Sequence, residues 1–214
     1  MLTALIRRFR PLPIVDPSEL RRFISGEASY LTQRAVYEFS RNTLAWFGQH
    51  YFANQGFVTV YAKCRWEAFG LLGIDMSALA LGRMLATPAG LANRAALAAR
   101  MAEVYEAALR EYPAPEHRPQ GWDDLLAECR MRLEAVEGPL EPIKLAKPTA
   151  KRVFELLPVY SKNKTEDHKV VRNAFDFGLI AYYDRLRKRV PPETAVQALL
   201  DGAPVDRALE MRAV

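Results

Sequence analysis

An all-α fold, an irregular bundle of about eight helices, is what this chain predicts, and three observations predict it. Apolar residues recur at spacings of three and four over most of its length. Capping residues, prolines and glycines stand mostly at the ends of those runs. The one β-branched cluster, Phe57-Val-Thr-Val-Tyr61, runs directly into Ala62-Lys-Cys-Arg-Trp-Glu-Ala-Phe69, whose spacing is helical, so both read as one helix.

The elements follow in order. Asp16-Pro-Ser-Glu19 supplies an N-cap, a proline at the first helical position and a glutamate at the third, predicting a short helix to about Ile24 that Gly26 breaks. A long helix over 27–52 carries Tyr30, Leu31, Arg34, Tyr37, Glu38, Arg41 and Leu44, and Asn54-Gln-Gly56 ends it. The next long helix, 57–72, carries Tyr61, Arg65, Phe69 and Leu72, and a shorter one follows from about Ser77. Thr87-Pro88 opens a helix over 88–112 by the same cap-then-proline logic. Pro113-Ala-Pro-Glu-His-Arg-Pro119 cannot continue it and reads as an extended surface connector. Beyond lie an amphipathic helix over 121–137, an irregular stretch from Leu140 to Pro148, a helix from Thr149 to Leu157 and a polar loop. A long final helix over 165–190 and a short one from Pro191 to Leu200 complete the set. The chain thus divides into an amphipathic arm, 1–15, and one helical domain, 16–214, with 113–119 as the place for a sub-domain boundary.

Composition narrows the class further. Half of the residues are apolar, so the chain folds by burial and is not intrinsically disordered. Cys64 and Cys129 make no Cys-x-x-Cys pair or disulfide framework and read as small core residues of a reducing compartment. The first ten residues place their charges after the apolar ones, unlike a secretory signal, and no apolar run is long enough to span a bilayer. Arginine in preference to lysine, with abundant alanine, fits a GC-rich bacterial genome. The expected place is the cytoplasm, with a peripheral seat on the inner face of the membrane as a variant.

The charge is uneven. Residues 144–189 hold twelve Lys plus Arg against five acids, +7, whereas 1–143 hold sixteen of each. Lys162, Lys164, Lys169, Arg172, Arg185, Arg187, Lys188 and Arg189 are the candidates for a polyanion or partner. The ordinary alternative is a solvated helix face, with the last cations complementing the helix dipole. No RNA-recognition, zinc-finger or basic-zipper signature supports nucleic acid. In the arm, Leu2, Leu5, Ile6 and Phe9 would share one helical face among arginines, which suits a membrane- or partner-docking segment or one folded back on its own core.

A second constellation is a charged seam. Arg34, Tyr37, Glu38 and Arg41 on one helix, with Tyr61, Arg65 and Glu67 on the next, set charges against an apolar bundle interface. Such charges form either a ligand site or a structural ion-pair network. The histidines, His50, His117 and His168, are isolated, and neither Glu-x-x-His nor His-Glu-x-x-His occurs, so neither metal nor cofactor is expected. There is no Gly-x-Ser-x-Gly elbow, P-loop or dinucleotide fingerprint. The resulting expectation is a non-catalytic interaction or assembly protein, an adaptor docking a protein partner or an anionic surface through its basic C-terminal helical region. The alternative is a helical-bundle enzyme or small-ligand binder with its pocket around Glu38, Arg41 and Arg65.

Overall fold

The computed structural model describes residues 12–47, 53–157 and 164–206, with the backbone alone for 37, 38, 40–47 and 164. The described residues form eight helices and no strand: α1 (Pro17–Phe47), α2 (Gln55–Met84), α3 (Pro88–Ala92), α4 (Arg94–Arg110), α5 (Asp123–Glu134), α6 (Pro142–Leu156), α7 (Lys164–Arg189) and α8 (Pro192–Leu200). The all-α bundle is therefore as the sequence predicts.

The second half of α2 is the axis of the molecule. All fifteen residues from Ala68 to Gly82 are buried, and α1, α4, α5, α6, α7 and α8 all pack against this helix. A helix that is apolar on every side must be surrounded. Glycines set how closely its neighbours approach: a Cβ on Gly73 would lie 2.8 Å from Cε2 of Tyr105. Two buried tyrosines complete the packing by donating to α2 carbonyls, Tyr105 to Gly70 and Tyr182 to Met76, each at 3.0 Å. Burial thus costs neither hydroxyl its hydrogen bond.

Several boundaries differ from those predicted, each for a packing reason. Gly26 does not break the first helix, and α1 runs unbroken through it. Burial of Leu20, Phe23, Ile24, Ala28 and Leu31 on one continuous face outweighs the roughly 1 kcal/mol that a mid-helix glycine costs. The same holds in α2, where the helices expected at 57–72 and from Ser77 are one. Asn54, read as a stop, is the N-cap of α2 and accepts from the Phe57 N–H at 3.2 Å. The helix expected over 88–112 is divided at Asn93 (φ −114°, ψ 27°) into α3 and α4. Residues 142–148, read as irregular, belong to α6 despite Pro148. Pro148 is exposed, while Ala146, Thr149, Ala150 and Val153 bury a helical stripe that carries the element through it.

Other signals hold. Asp16 caps α1 by accepting from the Glu19 N–H at 2.9 Å, and Glu19 reaches back to the Val15 N–H at 3.2 Å. Thr87 caps α3 by accepting from the Gly90 N–H at 3.0 Å. Among the described residues no helix is long and apolar enough to cross a membrane. Leu2, Leu5, Ile6 and Phe9 of the arm lie outside the described residues. Where the described chain begins, Ile14 is buried and its N–H donates to the Arg189 carbonyl at 2.7 Å.

Candidate functional site

The predicted seam separates into two places on opposite sides of α2. Arg65 and Glu67 are two residues apart, so they point about 200° apart around the helix. Arg65 is exposed and lines a cleft of about 230 Å³ together with Ser29 and Thr32 of α1, Trp66 and Phe69 of α2, and Tyr112 beyond the end of α4. Tyr61, half-buried, reaches the Val36 carbonyl at 3.5 Å and ties α2 to α1. Arg34 is exposed, and the side chains of Tyr37, Glu38 and Arg41 lie outside the described residues. Ser29, Thr32 and Tyr112 escaped notice in the sequence, where nothing but the antiparallel register of α1 and α2 would have found them.

Glu67 faces the opposite way, into the proline-rich connector. Its carboxylate accepts from Nε and Nη2 of Arg118, both at 2.6 Å, and lies 2.9 Å from Nε2 of His117. Arg118 also donates to Asp124 at 2.5 Å, and its guanidinium lies 5.1 Å from the Trp122 ring centroid. Burial pushes the Glu67 carboxyl up, but the Arg118 and His117 hydrogen bonds and charges outweigh it and hold the group below its ordinary value. The 113–119 segment is therefore pinned to α2, with the Arg118 N–H closing a turn on Pro115 at 2.8 Å. An exposed groove of about 580 Å³ runs beside this clamp.

A third cluster surrounds a residue absent from the sequence-based candidates. Asp75, in the buried second half of α2, is itself fully buried and accepts from Arg132 of α5. Burial raises its carboxyl to about 6, opposed by the Arg132 charge and the Thr149 hydroxyl. Arg132 also pairs with Glu128 at 3.7 Å, and Glu128 receives Arg152 of α6 at 2.6 and 2.8 Å. The chain of charges joins α2, α5 and α6, running from buried Asp75 out to exposed Arg152 at the surface. Its signal was legible: Asp75 is the single charge between Ala68 and Gly82, and a lone acid in an all-round apolar helix requires a cation from elsewhere.

The basic C-terminal region is partly consumed by internal pairs. Arg185 donates through Nε and Nη2 to Glu27 of α1, Lys169 pairs with Glu166 at 2.8 Å, and Arg172 with Asp176 at 3.5 Å. Arg189 lies over the Phe23 ring, 5.3 Å from its centroid. Lys162 and the side chain of Lys164 lie outside the described residues. Arg187 and Lys188 are exposed, as are Lys147 and Lys151 on α6, and none of the four pairs with an acid among the described residues.

Cys64 and Cys129 are fully buried, and burial pushes both thiols up to about 12, so neither is a thiolate nucleophile. His168 packs edge-on against Phe154 with centroids 5.0 Å apart, and His50 lies outside the described residues. Among the described residues no three His, Cys, Asp or Glu side chains gather as they would around a metal ion. Compared with known proteins, the chain matches no family model, no curated protein sequence and no solved structure.

Proposed function

We propose that the chain is a helical interaction protein that docks a protein partner on the outer face of the α6–α7 hairpin. The observation that carries this reading is Phe177, 69% exposed on a helix that buries Val171, Phe175, Leu179, Tyr182 and Leu186. Phe177 stands opposite that core-facing line, with half-buried Ala174, Ile180 and Ala181 beside it at helical spacing. A large aromatic flanked by charges is the composition of an interface anchor with a polar rim.

The unpaired cations Lys147, Lys151, Arg187 and Lys188 favour a partner whose contact surface is acidic around an apolar notch. The acids interleaved on the same hairpin, Glu155, Glu166, Asp176 and Asp184, weigh against a uniform polyanion such as nucleic acid or an anionic bilayer.

Affinity capture from the source cells with the native chain and with Phe177→Ser in parallel tests the reading. A protein recovered with the native chain and lost with Phe177→Ser, at unchanged thermal stability, supports it. An identical set recovered by both would sink it, as would native binding to anionic vesicles that survives the substitution.

A further inference from the structure

The cleft between α1 and α2 carries an inference independent of the docking face. Its floor contains Thr32, 4% exposed, whose hydroxyl is buried and has no hydrogen-bond partner. A buried hydroxyl without a partner is destabilising, and native structures leave few of them. Its mouth contains Arg65, exposed and without an acid partner among the described residues, beside the Ser29 hydroxyl. Between floor and mouth stand three aromatic rings that brace one another: Trp66 packs edge-on against Phe69 and Tyr112 with centroids 6.1 and 5.8 Å apart, and Phe69 against Tyr112 at 5.4 Å. Trp122 supports Trp66 from behind at 6.1 Å. The walls are thus held in place before any ligand arrives.

An apolar slot with a few convergent polar groups is the general form of a small-molecule site. About 230 Å³ holds roughly ten non-hydrogen atoms at protein packing density. The ring walls select a flat apolar body, a guanidinium at the mouth selects a carboxylate, and an unpartnered hydroxyl at the floor selects a polar substituent at the far end of that body.

We propose that this cleft binds a small hydroxylated aromatic carboxylate, with the ring among Trp66, Phe69 and Tyr112, the carboxylate on Arg65 and the ring substituent on the Thr32 hydroxyl. A ligand of this size binds with a Kd on the order of 1 mM or somewhat tighter. Such a ligand would bridge α1 and α2, since Thr32 belongs to one and Arg65 to the other.

The test uses 3- and 4-hydroxybenzoate, benzoate and benzamide as probes of the purified full chain, read by ligand-observed saturation-transfer NMR and by quenching of tryptophan fluorescence. At least one hydroxybenzoate is expected to bind saturably, benzoate more weakly, and benzamide roughly tenfold more weakly than benzoate. Arg65→Ala, at an exposed helical position, keeps the native melting temperature and removes the preference for benzoate over benzamide. Thr32→Val keeps or raises the melting temperature, because the hydroxyl it removes has no partner, yet abolishes the preference for hydroxybenzoate over benzoate. Absence of saturable binding by every probe would overturn the proposal. So would carboxylate selectivity that persists in Arg65→Ala or hydroxyl selectivity that persists in Thr32→Val. None of these results bears on the hairpin, so the two readings fail separately.

Discussion

Glu67 grips Arg118 with both carboxylate oxygens, at 2.6 Å each, across fifty-one residues of sequence. Both side chains are only 12% exposed, so the pair escapes most of the screening that makes surface ion pairs weak. Removing one partner leaves the other charge half-buried. Glu67→Gln is expected to cost about 1–3 kcal/mol of stability by denaturant titration. Hydrogen exchange over 113–121 should rise in the same variant, because the turns closed by the Arg118 and Gly121 N–H groups lose their anchor. Unchanged exchange there would mean that Glu67 does not anchor the connector.

Two glycines on helices test the packing in opposite directions. Nothing lies within 4 Å of a Cβ placed on Gly26, so Gly26→Ala should stabilise the protein by about 0.5–1 kcal/mol if α1 is continuous. A Cβ on Gly73 meets the Tyr105 ring at 2.8 Å, so Gly73→Ala should cost about 1–3 kcal/mol despite alanine's better helix propensity. Melting temperatures of the two variants decide the matter. A destabilising Gly26→Ala would restore the helix break that the glycine suggests in the sequence.

Asp75 gives stability an unusual pH dependence. Its folded-state value, about 6, lies above the ordinary 3.8, so the folded chain holds this proton more tightly than the unfolded chain. The stabilisation is complete below the unfolded value and fades as pH rises through about 6. Lowering the pH from 7 to 5 should therefore raise the unfolding free energy by about 1 kcal/mol through this residue alone. Glu67, Asp16 and Asp124 are held below their ordinary values, so they act with the opposite sign and at lower pH. Asp167 is raised as Asp75 is, and contributes in the same sense. Denaturation curves of the native chain and Asp75→Asn at both pH values isolate the effect. A pH response equal in the two proteins contradicts it.

Much of the fold was legible in the sequence because its helices announce their ends. Asp16 and Thr87 cap where the cap-then-proline pattern says they should, and Pro192–Leu200 begins one residue from the predicted start. Interior glycines and Pro148 misled because local propensity is worth about 1–3 kcal/mol, whereas one continuous buried face is worth more. The candidate site was legible only residue by residue. Arg65 and Glu67 stood out as charges on an apolar helix, but their partners come from Thr32, Tyr112, His117 and Arg118, whose proximity depends on helix register and on a loop folding back. Arg185 was read as part of a free basic face, yet it is joined to Glu27 across 158 residues. Long-range pairing of that kind leaves no periodic trace.

The docking reading rests on Phe177, and photo-crosslinking at that position reaches it most directly. A benzophenone amino acid is placed at Phe177 and, as a control, at Met131, which is 64% exposed on α5 and so outside the α6–α7 pair. Irradiation in the source cells should give a discrete crosslinked species from position 177 and none from 131. Crosslinks at 131 without any at 177, or the same species from both, would contradict a docking face on the α6–α7 hairpin.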